Sequence, residues 1–200
     1  LNRVRELLAE IPHAYWPNQY ANRNNPEAHA QGTMAEIDQA LRGEVDYLFV
    51  ATSTTGTASG CASYVRSHRL RTTVVAVDSQ GSVLFGGQSG SRKISGLGAG
   101  QVLPLAREAT VGTVIRVSDL DCVLGCRRLA HREAILAGGS SGGVLEAIRR
   151  VASDLPRGAN CVAILHDSGT RYLDTVYDDA WVERELGCSP ARLRELVGHD

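Results

Sequence analysis

Two spacings of hydrophobic positions alternate along the chain. Four short apolar or β-branched runs have the length and composition of buried strands, at 46–51, 73–77, 113–117 and 161–165. Between them, apolar residues recur every three or four positions, which is typical of a helix with one face in the core. The predicted helices cover residues 1–11, 27–41, 57–69, 118–131 and 141–153, and the run Ser118-Asp119-Leu120-Asp121 is predicted to cap the fourth of them. This alternation predicts an α/β fold of three layers, a mostly parallel sheet with helices on both faces.

The remaining segments are predicted to be irregular. Residues 17–26 form a loop, because two prolines bracket a run rich in asparagine. Glycine and serine dominate residues 78–100, and an irregular stretch of that length inside a domain is usually a functional loop. From Tyr172 onward the pattern predicts short helices interrupted at 187–190.

A phosphate cradle is predicted where the first strand ends. Residues 50–60 read Val-Ala-Thr-Ser-Thr-Thr-Gly-Thr-Ala-Ser-Gly, an apolar strand that enters a hydroxyl-rich turn. The backbone N–H groups of Ser53 to Thr57 would lie at the N-terminus of the next helix, where the dipole favours an anion. The turn has neither the lysine of a nucleoside-triphosphate loop nor the three glycines of a dinucleotide turn. The expected ligand is a lone phosphate group, and the alternative is an ordinary helix cap.

A second cluster of glycine and serine precedes another predicted helix. Residues 136–143 read Leu-Ala-Gly-Gly-Ser-Ser-Gly-Gly and overlap a short apolar segment at 134–137, interpreted as the strand end before that helix. Ligands of doubly wound sheets bind at the carboxyl ends of the strands, so both turns are predicted to face one pocket. Close packing of a helix on the sheet, which also requires glycine, is the alternative.

Composition narrows the function classes. The formal net charge is -1, opposite charges are mixed, and only 5% of the residues are aromatic, which argues against nucleic-acid binding. No apolar stretch approaches the roughly 20 residues that span a bilayer, and residues 1–5 do not resemble a signal peptide. We therefore expect a soluble, cytoplasmic protein that binds small molecules, with no nucleic acid and no membrane as partner.

Cysteine and lysine usage is unusual. Cys122 and Cys126 lie four apart on a predicted helix, but no second pair stands nearby to complete a tetrahedral site, so no metal is expected. All five cysteines are interpreted as small buried residues in a reducing compartment. Twenty of the 21 basic residues are arginine, and Lys93 is the only lysine in the sequence.

Taken together, these features resemble the fold type II pyridoxal-phosphate enzymes of the cysteine synthase and cystathionine β-synthase family. The matching landmarks follow the family's order across almost the whole chain: 19–22, Asn25 with Pro26, 53–57, 93–100, 139–142 and 167–173. The resemblance implies the large domain of a tryptophan synthase β-like fold and pyridoxal 5'-phosphate as cofactor.

The resemblance also implies roles for individual residues. The cofactor phosphate is expected at Ser53, Thr54, Thr55, Gly56 and Thr57, although the family usually has glycine where Ser53 and Thr55 stand. The pyridine nitrogen of the cofactor is expected at Ser140, whose neutral hydroxyl does not force that nitrogen to be protonated. Substrate contacts are expected from Tyr20, near the mouth of the active site, and from Gly96 and Leu97, in the loop 86–100 that closes over the substrate. For Tyr20 and for the loop, the alternative is an ordinary surface feature.

Within the family, three segments look most like the siderophore-pathway synthases that make N-(2-amino-2-carboxyethyl)-L-glutamate. They are residues 50–57, 77–87 and 117–128. The resemblance implies O-phospho-L-serine and L-glutamate as substrates, a precursor of L-2,3-diaminopropionate as product, and a homodimer. A sulfur-assimilating cysteine synthase or cystathionine β-synthase is an alternative, and a catalytically silent truncated module is another.

One family feature is expected to lie outside this sequence. The Schiff-base lysine of the family precedes the region that matches here, and Lys93 aligns instead with a lysine beside the mobile glycine loop. The catalytic residues are therefore unknown, and Lys93 is rejected as the cofactor anchor. Residues 1–20 are expected to be the end of the small domain and the crossover, and residues 21–200 the large cofactor-binding domain. On this view the chain is the C-terminal two-thirds of an enzyme.

Overall fold

The computed structural model describes residues 2–198 and contains the four strands predicted for the sheet, a helix in each predicted helical segment, and one short α-helix that was not predicted, Pro104–Glu108. Helices α1 to α9 cover Asn2–Glu10, Asn24–Ala28, Ala35–Ala40, Gly56–Ser67, Pro104–Glu108, Asp119–Glu133, Gly139–Val151, Asp179–Leu186 and Pro190–Gly198. Strands β1 to β4 cover Tyr47–Ala51, Thr73–Ser79, Thr113–Val117 and Cys161–Ala163. A π-helical segment, His29–Met34, joins α2 to α3. Leu1, placed in the first predicted helix, lies outside the described residues.

The four strands form one parallel sheet in the order β3-β2-β1-β4. Phe49 in the centre of β1 lies opposite Val75 of β2 on one side and Ala163 of β4 on the other. Parallel neighbours need a crossover between them, and helices supply each crossover here. The predicted fold class is confirmed.

Side chains of β1 and β2 alternate between two cores, one on each face of the sheet. Phe49 and Val77 point into a core built largely from α6, α7 and α9. Leu48 and Val50 point into a second core with α4 and Met34 of the π-helical segment. Because both faces are covered, the strands consist of continuous apolar runs.

Helices α6 and α7 pack so closely that two glycines at their contact have no room for a side chain. A Cβ atom added to Gly142 would lie 2.0 Å from the carbonyl oxygen of Cys122 and 2.6 Å from Sγ of Cys126. A Cβ atom added to Gly125 would lie 2.0 Å from the carbonyl oxygen of Gly142. Both glycines are therefore required by helix packing. For Gly142, a member of the second glycine cluster, close packing was the alternative to a role in ligand binding, although the partner is a helix here rather than the sheet.

The start of α6 follows the predicted capping pattern. The Ser118 hydroxyl accepts a hydrogen bond from the backbone N–H of Asp121 at 3.1 Å, and the Asp121 carboxylate accepts one from the Ser118 N–H at 2.6 Å. Hydrogen bonds with Ser118 and the nearby Arg150 guanidinium lower the pKa of Asp121 against the opposing effect of burial. None of the helices within residues 2–198 has the length and apolar character needed to cross a membrane.

Four local expectations were wrong. The helix predicted over 27–41 is not a continuous α-helix, because the π-helical segment His29–Met34 interrupts it. Residues 134–137 are not a strand of the sheet, because α6 ends with Ala134 in the left-handed conformation and only Ala137 forms an isolated antiparallel bridge, to Ser168. Helix α7 begins at Gly139, so the second glycine cluster is its first turn. Strand β4 ends at Ala163, two residues earlier than predicted, where the chain turns away from β1.

Candidate cofactor site

The hydroxyl-rich turn lies between the end of β1 and the start of α4. The first residue of the turn, Thr52, is fixed by two hydrogen bonds. Its backbone N–H and its hydroxyl both donate to the carbonyl oxygen of Val77, at 2.8 and 2.9 Å. Helix α4 begins four residues later, at Gly56. The turn is therefore held at the carboxyl end of a central strand, where parallel sheets bind ligands.

Several backbone donors of this turn are left for a ligand. Within residues 2–198, no protein group accepts a hydrogen bond from the N–H of Thr54, Thr55 or Thr57. The N–H of Gly56 donates to the Thr54 hydroxyl at 3.2 Å. Unpaired N–H groups at the N-terminus of a helix attract an anion, because the partial positive charge of the helix dipole is concentrated there.

Thr55 adopts a conformation that favours glycine. Its φ of 68° and ψ of 0° lie in the left-handed region, where a β-branched residue is an outlier. A hydrogen bond from its hydroxyl to the Thr54 carbonyl, at 2.6 Å, offsets part of that strain. This explains why glycine would be usual at this position. The Thr55 side chain is committed to the backbone, so its backbone N–H is the group it offers to a ligand.

Asn25 supports the turn from the preceding loop. Its side-chain amide donates to the Gln19 carbonyl at 2.8 Å and to the Thr54 hydroxyl at 3.4 Å. Gly56 packs directly against it, since an added Cβ atom would lie 2.0 Å from Oδ1 of Asn25. The position therefore requires glycine, and the landmark Asn25 has a structural role at the turn.

His29 contacts the turn although its position in the sequence gave no indication of this. Its Nε2 lies 3.1 Å from the Thr57 hydroxyl, and its Nδ1 lies 2.9 Å from the Thr33 hydroxyl. Burial lowers the pKa of His29, so the ring is neutral near pH 7. The π-helical segment begins at this residue, and such segments are frequent at functional sites.

Ser140 lies in the first turn of α7. It is 5% exposed, and no protein group within residues 2–198 forms a hydrogen bond with its hydroxyl. Gly96 lies beside it: a Cβ atom added to Gly96, whose φ is +75°, would be 3.9 Å from Oγ of Ser140. The hydroxyl is therefore available to a ligand that approaches between the glycine loop and α7.

The glycine loop, residues 80–103, contacts the hydroxyl-rich turn as well. The N–H of Gly98 donates to the Thr52 carbonyl at 2.7 Å, and the Ser53 hydroxyl donates to the Gly98 carbonyl at 3.4 Å. Through this loop the structure brings the predicted phosphate turn and Ser140 to one site.

The predicted substrate residues differ in their surroundings. Leu97 is 2% exposed, and its side chain lies in the core between the sheet and α7. Only its backbone is therefore left to contact a substrate. Gly96 is exposed at the surface of the loop. Tyr20 is half-buried against Leu84 and Leu103. Substrate contacts by Tyr20, Gly96 and Leu97 stay predictions.

Lys93 is engaged away from the turn. Its ammonium group donates to Glu185 on α8 at 2.8 Å, and its backbone N–H donates to Asp119 at the start of α6 at 2.9 Å. Lysine at this position therefore ties the glycine loop to two helices. This geometry is consistent with its rejection as the cofactor anchor.

Four of the five cysteines are buried, but Cys161 is exposed, so the expectation that all five are buried was wrong. Cys161 begins the edge strand β4, which explains its exposure. Burial raises the pKa of Cys61 to about 12 and that of Cys126 to about 11, and it also raises the pKa of Cys122. These three side chains are therefore neutral thiols near pH 7 and act as packing residues.

Fold and site together define an α/β domain with unpaired N–H groups at a helix N-terminus and an unpaired hydroxyl at the start of a second helix. A family described as pyridoxal-phosphate dependent enzyme matches residues 1–167. The chain belongs to this family.

Individual relatives agree with this assignment. The chain is 46% identical over 184 residues to N-(2-amino-2-carboxyethyl)-L-glutamate synthase of Ralstonia nicotianae, and the match covers 92% of this chain and 54% of that protein. The chain thus spans about half the length of this curated relative.

Solved structures with the same fold include two enzymes. One is an O-acetylserine dependent cystathionine β-synthase from Helicobacter pylori, with a TM-score of 0.81, 29% identity, and coverage of 87% of this chain and 57% of that one. The other is a hydrogen sulfide-producing enzyme from Fusobacterium nucleatum, with a TM-score of 0.80, 28% identity, and coverage of 86% and 59%.

The residues present fit pyridoxal phosphate. Its phosphate is an anion that the unpaired N–H groups of Thr54, Thr55 and Thr57, with the Thr54 and Thr57 hydroxyls, complement in charge and hydrogen bonding. Its ring nitrogen needs one polar partner, and the unpaired hydroxyl of Ser140 is such a group. Both features are observed in this chain independently of the family assignment.

Proposed function

We propose that the chain is the cofactor-holding part of a synthase that joins O-phospho-L-serine to L-glutamate and forms N-(2-amino-2-carboxyethyl)-L-glutamate. The observation that carries this proposal is the 46% identity over 92% of the chain to an enzyme with that name. The product is a precursor of L-2,3-diaminopropionate, which places the enzyme in amino-acid biosynthesis for a siderophore.

In the proposed reaction, the bond between the serine β-carbon and the phosphate oxygen breaks and inorganic phosphate leaves. A carbon–nitrogen bond then forms with the amine of glutamate, which loses a proton. Pyridoxal phosphate, when bound, supplies the electron withdrawal that lets the β-substituent of the amino acid leave. The residues of this chain hold and orient the cofactor. Ser53 to Thr57 bind its phosphate, and Ser140 contacts its ring nitrogen.

The proposal includes an organisation for the whole protein. Residues 1–20 are the end of a small domain and the crossover, residues 21–200 are the large domain, and the Schiff-base lysine lies outside this sequence. A homodimer in the cytoplasm is proposed on the same family resemblance. Residues 86–100 of the glycine loop are proposed to close over the substrate and exclude water.

An assay on the protein isolated from its natural source tests this function. The protein is supplied with O-phospho-L-serine and either L-glutamate or sulfide, and the products are identified by mass spectrometry. We expect the glutamate adduct as the main product. A preference for sulfide would support a cysteine synthase instead, and no turnover by a protein with the mass of these 200 residues would support a silent module.

The proposed contact of Ser140 can be tested separately. In the Ser140→Asp variant we expect the ring nitrogen of bound pyridoxal phosphate to become protonated, because a carboxylate stabilises the pyridinium cation. The ¹⁵N chemical shift of cofactor labelled at that nitrogen reports the protonation state. Ser140→Thr, which keeps a hydroxyl, is the matched control. An identical shift in all three proteins would contradict the contact.

A further inference from the structure

We propose that His166 is a positioning residue that fixes the phosphate turn to the start of α7. It forms one hydrogen bond to the last residue of β1, directly before the turn, and one to the first turn of α7. The imidazole Nε2 accepts from the backbone N–H of Ala51 at 3.1 Å, and the His166 backbone N–H donates to the Ser141 hydroxyl at 2.9 Å.

The first of these bonds takes the place of a backbone hydrogen bond between β1 and β4 that is absent beyond the end of β4. Strand β4 ends at Ala163, and the last backbone contact to β1 is the N–H of Ile164, which donates to the Phe49 carbonyl at 3.1 Å. Two residues further along β1, Ala51 has no β4 carbonyl opposite it. The His166 ring takes that place, so the last N–H of β1 is satisfied by a side chain.

The second bond reaches the other half of the site. Ser141 is fully buried and directly follows Ser140, whose hydroxyl is the proposed partner of the cofactor ring. Ala51 is separated from Ser53 by one residue. A single residue therefore sets the spacing between the two turns that hold the ends of the cofactor.

The Ala51 bond requires a neutral ring, because Nε2 accepts only when it carries no proton. Desolvation lowers the pKa of His166 below its ordinary value of 6.5, and the nearby His29 lowers it further, whereas Asp167 opposes this. The residue nevertheless has exposed surface, so a proton reaches the ring without unfolding. As the pH falls through this lowered pKa, protonation turns Nε2 into a donor that faces the Ala51 donor, and the bond is lost.

Folding stability shares this pH dependence. Because the folded pKa of His166 is depressed, the unfolded state binds more protons in acid. The stabilisation from the neutral ring is therefore complete above pH 6.5 and is lost as the pH falls through the lowered pKa.

Amide hydrogen exchange at Ala51 tests the bond directly. We expect the protection factor of the Ala51 N–H to fall at least tenfold in His166→Leu at pH 7.5 and to stay near the wild-type value in His166→Gln, whose Oε1 accepts in place of Nε2. As the pH is lowered from 7.5 through the depressed pKa of His166, the wild type should lose protection and His166→Gln should not. His131→Gln, a change at an exposed position on α6, is the matched control. Unchanged protection in His166→Leu, or pH-independent protection in the wild type, would overturn the proposal.

Binding of pyridoxal phosphate tests the consequence, which rests on the proposed function. We expect at least tenfold weaker binding by His166→Leu than by His166→Gln at pH 7.5. Where the affinity is also measured in acid, a His29→Gln background is used, because a proton on His29 near Thr57 would strengthen phosphate binding, opposite in sign to the effect at His166. Equal affinities of the two variants would overturn the positioning role. A wild-type protein that binds no cofactor would contradict the proposed function, and exchange at Ala51 would still decide the bond.

Discussion

Replacing both Thr54 and Thr57 by alanine is expected to weaken binding of pyridoxal phosphate by a factor of at least about 100. A hydrogen bond to a charged group contributes roughly 1.5–3 kcal/mol, so two hydroxyls together contribute about 3–6 kcal/mol, or roughly 10²–10⁴ in Kd. Thr57 lies in the first turn of α4 and is held by His29, while the Thr54 hydroxyl accepts from Gly56 and remains free to donate. Equilibrium dialysis with the cofactor measures the change.

Three comparisons make this result specific. The Thr54→Ser, Thr57→Ser double variant keeps both hydroxyls and should bind nearly as well as the wild type. Thr110→Ala lies between α5 and β3, away from the turn, and should have no effect. For pyridoxal, which has no phosphate, the Kd values of the alanine variant and the wild type should differ by less than about threefold. An equal loss for pyridoxal, or no loss for the phosphate, would mean that the turn is only a helix cap.

The second large effect concerns stability. Gly142→Ala is expected to lower the free energy of unfolding by about 3 kcal/mol or more, since its Cβ atom would lie 2.0 Å from the backbone oxygen of Cys122 and would force α6 and α7 apart. For a chain of this size, that corresponds to a fall of roughly 6–12 °C in Tm. Chemical denaturation followed by far-UV circular dichroism measures it.

Gly32→Ala is the matched control for this change. Gly32 also lies inside a helical segment, but the nearest atom to an added Cβ is Oε1 of Glu36, at 4.0 Å. The substitution should be neutral or should stabilise by up to about 1 kcal/mol, because alanine is the better helix former. Equal effects at Gly142 and Gly32 would show that helix propensity, rather than the close crossing of α6 and α7, determines the cost.

Segments with one dominant local signal were predicted well from the sequence. Strand β3 has the predicted bounds, Thr113–Val117, because a β-branched run between turn residues has few alternatives. The helix that follows starts at the predicted cap, since Ser118 and Asp121 satisfy each other's backbone donors locally. These features depend on neighbours in the sequence and need no knowledge of the tertiary structure.

The failures occur where tertiary contacts decide. The apolar segment 134–137 has strand-like composition, but β1 already has a strand on each side, and the segment connects two helices instead. The continuous helix predicted over 27–41 contains a π-helical stretch that local spacing does not reveal. Composition alone specifies neither the available positions in a sheet nor the packing partners of a helix.

The residues of the candidate site likewise fall into those that the sequence indicated and those that only tertiary contacts bring to the site. The hydroxyls of residues 53–57 and the Gly139–Gly142 cluster could be found in the sequence because each run combines small residues with hydroxyls where a helical pattern begins, as anion-binding turns do. His29 and His166 were missed as parts of the site. Each reaches its partner across a long sequence separation, His29 to Thr57 and His166 to Ala51, and no spacing rule connects them.

A titration of the ¹⁵N-labelled protein with pyridoxal phosphate, followed by amide chemical shifts, tests the proposed phosphate site most directly. We predict the largest shifts at the N–H groups of residues 53–58, smaller ones around Ser140, and loss of the first set when pyridoxal replaces the phosphate. A rival anion site is the cavity of about 330 Å³ beneath the glycine loop, lined by Lys93, Arg171 and Trp181 among others. Shifts concentrated there, with residues 53–58 unchanged, would contradict the assignment of the turn as the phosphate site.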